Sequence, residues 1–78
     1  MKKNNLVDRG CDSAGRWECA IFAVGNGVYR LNVVNLDDGR QAHRMYDGED
    51  SKGALAVAVA DFNGIVKYGY PPTTFRFS

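Results

Sequence analysis

The sequence predicts an α+β fold, in which an antiparallel β-sheet carries one helix on one of its faces. Three apolar, alternating segments separated by turn residues occupy positions 16–46, and an alanine-rich segment with helix-end signals follows at 50–63. Strands joined by short turns pair antiparallel, and a following helix buries its apolar stripe against their sheet. The predicted order is β-β-β-α-β, and the sequence also allows a further short strand at the end of the chain.

The chain length sets the domain organisation. A sequence of 78 residues is one small domain, and such a domain buries only about 60% of the surface of its unfolded chain. Residues 1–15 are polar and show neither helical nor strand periodicity. We therefore expect a mobile arm at 1–15, with a short extended piece near Leu6 and Val7, and a single α+β domain at 16–78.

The first three strands are predicted at 16–24, 28–35 and 40–46. Apolar residues alternate along the first two, and Gly and Asn at 25–27 form a tight hairpin turn between them. Asp and Gly at 37–39 supply the second turn. The third strand is the most polar, which suits a sheet edge or a solvated face.

The predicted helix spans 50–63. Asp50 and Ser51 are good N-cap residues, and Asn63-Gly64 is a typical C-terminal stop. Its core face is expected to consist of Leu55, Ala58, Val59 and Phe62. Leu55, Val57 and Val59 also alternate as a strand would, but the end signals and the alanine content favour a helix.

Two further strands are predicted after the helix. The apolar segment at 65–70 indicates a fourth strand, which Pro71-Pro72 ends. The segment at 73–78 fits a short fifth strand with Phe75 and Phe77 facing inward.

Charge and hydropathy indicate which partners and which cellular compartment to expect for the protein. Ten Lys and Arg balance nine Asp and Glu, whereas nucleic-acid-binding proteins usually carry a clear basic excess. The sequence contains no run of 18 apolar residues, so no membrane span is predicted. Polar residues follow Met1, where a signal peptide would be apolar. We expect a cytoplasmic protein in which Cys11 and Cys19 are free thiols, as is usual in that compartment.

Catalytic and metal-binding residues are not indicated. The single histidine, His43, lies on a polar strand, and no local motif joins it to Cys11, Cys19 or Asp47 as a nucleophilic triad. The cysteines and His43 lack the paired spacing of structural zinc ligands. We therefore predict no catalytic residue, no cofactor and no metal.

A protein-binding surface is the better-supported prediction. Tyrosine and arginine are enriched at interface hot spots, and both occur on the second and third predicted strands. We predict a partner-binding patch composed of Tyr29, Arg30, Arg40, Arg44 and Tyr46. The alternative is that the tyrosines cap the core with their hydroxyl groups in water. The outer face of the predicted helix is also short of charge, and the protein is expected to be a monomer or a weak homodimer.

Residues 20–47 resemble the hairpin region of a small phage anti-CRISPR protein. The similar features are the apolar strand before Asn26-Gly27, the stretch 32–35, Gly39, Ala42 and Asp47. This resemblance implies a non-enzymatic viral inhibitor that acts in the host cytoplasm. It would bind a type I CRISPR-Cas surveillance complex, Cascade, and block access of target DNA. Gly25 and Leu31 stand near the positions where that family has a contact tyrosine and a contact glutamate.

A second resemblance gives an alternative function. Three antiparallel strands followed by an alanine-rich helix, at residues 16–62, resemble the second part of a double-stranded-RNA-binding domain. Lys52 falls where that family has a phosphate-binding lysine, whereas Glu49 and Asp50 place acidic charge beside it. This resemblance implies a small nucleic-acid-binding module.

Overall fold

A computed structural model describes residues 5–25, 27–47, 51–69 and 76–77. These residues form five strands and one helix. The elements are β1 (Asn5–Cys11), β2 (Trp17–Gly25), β3 (Val28–Asn35), β4 (Gln41–Asp47), α1 (Ser51–Tyr68) and β5 (Arg76–Phe77).

The strands form one antiparallel sheet in the order β1-β2-β3-β4-β5, and α1 packs on one face of it. The predicted α+β class is therefore confirmed. The three predicted strands at 16–24, 28–35 and 40–46 correspond to β2, β3 and β4 within one residue at each end. β5 pairs Phe77 with Ala42 and Arg76 with His43, as a short last strand would.

The arm predicted at 1–15 differs from the structure. Asn5–Cys11 is strand β1, which pairs with β2 from Asn5 opposite Ala23 to Cys11 opposite Glu18. The sequence shows no alternation of apolar and polar residues here, because β1 is an edge strand whose side chains are exposed on both faces up to Gly10. A register shift at Val7 adds a β-bulge, which also breaks the alternation.

The predicted helix is real, but its predicted end is wrong. α1 passes through Asn63-Gly64 and reaches Tyr68, so residues 65–68 of the strand predicted at 65–70 are helical. Ile65 is 4% exposed and follows Ala58 by seven residues, so it extends the buried stripe of the helix. The helix ends at Gly69, whose φ is 65° and whose N–H donates to the Ile65 carbonyl at 2.8 Å.

The core lies between α1 and the adjoining face of the sheet. The helix contributes Ala54, Ala58, Phe62 and Ile65. The sheet contributes Trp17, Cys19, Ile21, Leu31, Val33, Ala42 and Tyr46. Leu55 and Val59, predicted as central, are half-buried at the margin of this core, whereas Phe62 is fully part of it. Both cysteines are free, as predicted.

Asp50, Pro71, Pro72 and Phe75, which figured in the predictions for the helix start and the last strands, lie outside the described residues. The same holds for the side chains of Ser51, Lys52 and Phe77.

Candidate protein-binding face

The two faces of the sheet have different environments. Side chains alternate between the faces of a strand, and Trp17, Cys19 and Ile21 of β2 point toward α1. The side chains between them therefore point the other way, and the helix does not cover them. We call this second side of β1 to β4 the open face.

The open face is largely apolar. Its exposed members include Leu6 on β1, which is 54% exposed, and Met45 on β4, which is 48% exposed. Between them lie the half-buried residues Ala20 and Phe22 of β2 and Val34 of β3. Apolar side chains at this density on an uncovered sheet face are typical of a binding surface.

A shallow groove of about 380 Å³ crosses the open face. Its lining includes Leu6, Arg9, Ala20, Phe22, Asn32 and Val34. Apolar side chains form most of its surface, and Asn32 supplies a polar group near its centre. Its volume and predominantly apolar lining are in the range of clefts that bind apolar groups.

The charged groups of the open face are few. Arg9 donates to Glu18 at 3.3 Å across the β1–β2 pair, and both side chains are well exposed. The Arg30 guanidinium lies over the Phe22 ring, 5.5 Å from its centroid, in a cation–π contact. Arg30 Nε is buried and donates to no described atom.

The structure does not bring the five predicted patch residues together on one surface. Tyr29 lies opposite Tyr46, and Arg44 lies opposite Leu31, so these three side chains are on the helix side of the sheet. Arg30 lies opposite Met45 on the open face. The sequence places all five on adjacent strands, but only the register decides on which face each side chain lies.

Arg40 lies apart from the other four residues. It follows the β3–β4 turn, where its Nε donates to Asp38 at 2.8 Å and its backbone N–H donates to the same carboxylate. These hydrogen bonds lower the pKa of Asp38, the backbone N–H of Arg40 having the largest effect.

Arg44 and Tyr46 connect β4 to the helix. The Tyr46 hydroxyl donates to Asp61 Oδ2 at 2.6 Å, and Arg44 Nη1 donates to the same oxygen at 3.2 Å. Arg44 also lies 5.1 Å from the centroid of the Tyr46 ring. Burial, together with the Asp61 carboxylate, raises the pKa of Tyr46 well above its usual range. Tyr46 is 5% exposed and belongs to the core, but its hydroxyl group binds Asp61 and does not lie in water as the alternative expects.

The residues considered for chemistry are dispersed. His43 lies opposite Asn32 on the open face, whereas Cys19 is buried on the helix side. Cys11 is exposed on β1, opposite Glu18. Within the part of the chain that the structure describes, no three His, Cys, Asp or Glu side chains come together as metal ligands.

Sequence reasoning missed Phe22, Leu6 and Met45 as candidate site residues. The alternation predicts Phe22 in the first strand, and the polar segment 1–15 places Leu6 in the predicted arm. The available signal was the alternation along β2, because Phe22 has the opposite orientation to Ile21. Without the position of the helix, that signal does not tell which of the two faces is covered.

The outer side of α1 is a second uncovered surface. Ala56, Val57, Ala60 and Lys67 are exposed there, and Val57 is 50% exposed. This surface consists mainly of small side chains. The helix is not apolar enough over a sufficient length to span a membrane, and the described residues contain no other helix.

No protein-family model, curated protein or solved structure matches the chain. The candidate site therefore rests on the geometry of the open face, and the two resemblances rest on the residues that suggested them.

Proposed function

We propose that this protein is a non-enzymatic protein-binding inhibitor that recognises its partner through the open face. The observation that carries the proposal is the apolar groove formed by β1, β2 and β3, opposite the helix. Uncovered apolar surface costs solvation free energy in the isolated protein, and a partner that buries it recovers about 25 cal/mol per Å².

The charges of the open face favour a protein partner over a nucleic acid. Arg9 is paired with Glu18, and Arg30 is the one arginine that β1 to β4 place on this face without a carboxylate within ion-pair distance. Nucleic-acid affinity depends on several phosphate contacts, each made by a basic group. An apolar groove with an unpaired arginine beside it meets the needs of a protein surface instead.

The resemblance to an anti-CRISPR hairpin gives this proposal a specific form. Residues 20–47, which carry the resemblance, contain most of β2 and all of β3 and β4, the strands that form much of the open face. The corresponding function is that of a phage protein in the host cytoplasm. It binds a type I CRISPR-Cas surveillance complex as a monomer or weak homodimer and blocks access of target DNA.

The test uses a purified type I surveillance complex and a labelled target DNA. Excess wild-type protein is expected to bind the complex and to suppress DNA binding. A variant with Leu6→Glu and Met45→Glu is expected to lose both effects, because it places two charges on the open face. Both positions are exposed, so its stability should change by no more than about 0.5 kcal/mol per site.

Val57→Glu is the matched control, because Val57 is equally exposed but lies on the outer side of α1. If Val57→Glu abolishes binding and the open-face variant does not, the binding surface is on the helix. If no variant and no wild-type protein binds the complex, the CRISPR-specific form of the proposal fails, and pull-downs with other partners test the binding face itself.

A nucleic-acid-binding module is the competing function. Titration with generic DNA and RNA at low salt separates the two functions. A protein-binding inhibitor should show little affinity for either, whereas a nucleic-acid-binding module should bind and lose affinity steeply as salt is raised.

A further inference from the structure

Arg30 differs from the other arginines whose side chains the structure describes. Arg9, Arg16, Arg40 and Arg44 each have a carboxylate within ion-pair distance. Arg30 has no such partner among the described residues, and its Nε is buried without an acceptor. A buried donor without an acceptor is unusual in folded proteins and is unfavourable for stability.

Arg30 lies over Phe22, which is one of the residues that line the groove. Its register partners are Phe22 on β2 and Met45 on β4, both on the open face. The cation–π contact with Phe22 fixes the guanidinium plane beside the apolar lining. A guanidinium ordered in this way loses less entropy when it binds a carboxylate, because its fork is already oriented.

We propose that Arg30 is the anchor for a carboxylate on the partner, and that the open face recognises a protein segment in which an acidic residue adjoins a large apolar one. This inference rests on the proposed function, since it specifies the partner chemistry of the same face. The carboxylate accepts from the guanidinium, and the apolar side chain occupies the groove beside Phe22 and Val34.

The charges nearby support a single carboxylate as the ligand. Glu18 neutralises Arg9 at the β1 side of the groove, and strand alternation places Asp47 on the same face as Met45. These two acids would repel a run of phosphates or a second acidic residue. Arg30, with acids on two sides, therefore selects a segment with an isolated negative charge.

Selection from a library of short random peptides against the full-length protein tests the inference. The selected peptides are expected to share a glutamate or aspartate next to a large apolar residue. Their addition should shift the amide signals of Phe22, Asn32 and Val34, which line the groove. A glutamine in place of the peptide glutamate should weaken binding to the wild-type protein at least about tenfold.

Variants of the protein then assign this preference to Arg30. Arg30→Gln should bind the glutamate and glutamine peptides equally, and Arg30→Lys should keep part of the preference. Arg40→Gln, which changes an arginine already paired with Asp38, should bind like wild type. The comparison of the two peptides on wild-type protein needs no variant, so a folding defect in Arg30→Gln cannot mask the result.

The possible failures are distinct. Peptides that bind the open face without an acidic preference overturn the inference and leave the proposed function intact. Failure to select any peptide that shifts open-face signals overturns both. Binding of a single-stranded oligonucleotide to the open face, with loss of affinity in Arg30→Gln, would show that Arg30 binds a phosphate and not a carboxylate. That result overturns the inference.

Discussion

Two buried polar side chains, Asp12 and Asn35, hold the hairpin turns of this protein. Asp12 Oδ1 accepts from the backbone N–H groups of Arg16 and Trp17 at 2.7 and 2.8 Å. Asn35 Oδ1 accepts from the N–H groups of Asp37 and Asp38 at 2.8 and 3.3 Å. Each side chain satisfies backbone donors that the strand ladders do not use, so the register on either side of it is fixed.

Asp12→Ala is expected to lower the free energy of unfolding by about 1–3 kcal/mol, because two buried backbone donors lose their charged acceptor. The N–H of Trp17 has the largest effect in lowering the pKa of Asp12, and that of Arg16 adds to it. The Asp12 contribution is therefore complete above its ordinary pKa of 3.8 and is lost as pH falls through the lower folded-state value.

Urea denaturation of wild type and Asp12→Ala at about pH 7 and about pH 3 measures this dependence. The difference between the two proteins should be smaller at the lower pH. Asp37→Ala, an exposed acid in the other turn, is the control and should change stability by less than about 0.5 kcal/mol. A difference that grows on acidification would contradict the role given to Asp12.

The two thiols should differ in reactivity. Cys11 is exposed on β1, whereas Cys19 is fully buried, and burial raises the pKa of Cys19 to about 12. A thiol reagent such as Ellman's reagent should therefore modify Cys11 rapidly in the native protein and Cys19 only when the domain unfolds. Cys11→Ser should remove the fast phase alone. Equal rates for both thiols in the native protein would show that β2 is not covered by the helix.

At the scale of the elements, α1 continues through Asn63-Gly64, a sequence that usually ends a helix. Gly64 lacks a positive φ, whereas Gly69 has a φ of 65° and forms the true end. Asn63 and Gly64 remain helical because Phe62 and Ile65 on either side of them are both buried in the core. Tertiary burial therefore outweighs the local preference for a stop.

Gly64→Ala is expected to raise the free energy of unfolding by about 0.5–1 kcal/mol, because alanine favours a helix interior over glycine. Gly69→Ala is the matched comparison and should lower it by about 1–2 kcal/mol, since alanine disfavours the left-handed backbone there. Urea denaturation measures both changes. If Gly64→Ala lowered the free energy of unfolding and Gly69→Ala raised it, the helix would end at Gly64.

Gly10 allows the edge strand to approach the helix closely. A Cβ added at Gly10 would lie 3.0 Å from Phe62 Cζ and 3.3 Å from Val66 Cγ2. Gly10→Ala is therefore expected to destabilise the protein by about 1–3 kcal/mol through overpacking. Thermal or urea denaturation measures the change.

A second substitution, at Val66, checks this prediction. Val66→Ala removes both γ-methyl groups that an added Cβ would meet, at 3.3 and 3.6 Å, and leaves the Phe62 contact. The double variant with Gly10→Ala should therefore lose less stability than the sum of the single variants. Gly25→Ala is the control, because an added Cβ there is 4.0 Å from its nearest neighbour. Additive losses at Gly10 and Val66 would argue that β1 does not contact the helix.

At the scale of the whole molecule, one side of the sheet stabilises the fold and the other is available for binding. The helix side contains the complete core, together with the Arg44, Tyr46 and Asp61 contacts. The open face contains the groove and Arg30. Substitutions on the open face can therefore change binding without much loss of stability, which makes the proposed function testable by mutation.

Native-state amide hydrogen exchange should show the same organisation. β2 and β3 are paired on both sides and lie against the helix, so their amides should exchange most slowly. β1 is an edge strand with exposed side chains, and its amides should exchange faster. Exchange from β1 as slow as that from β3 would indicate that another chain covers this edge in solution.

The sequence alone was sufficient for the elements with strong local signals. Alternating apolar residues and turn residues at 37–39 located β2, β3 and β4, and the alanine-rich segment located the helix. These features depend on contacts between residues close in the chain, so their signal is present in the sequence. The α+β class followed from the same signals.

Only the tertiary structure determined the edge strand, the helix end and the faces of the sheet. β1 is a strand because β2 supplies its hydrogen-bond partners, and α1 continues past Gly64 because the core buries Ile65. Arg30 and Arg44 are on opposite faces because the β3–β4 register makes Met45 the partner of Arg30. Each outcome depends on residues distant in the chain, and a local pattern carries no information about them.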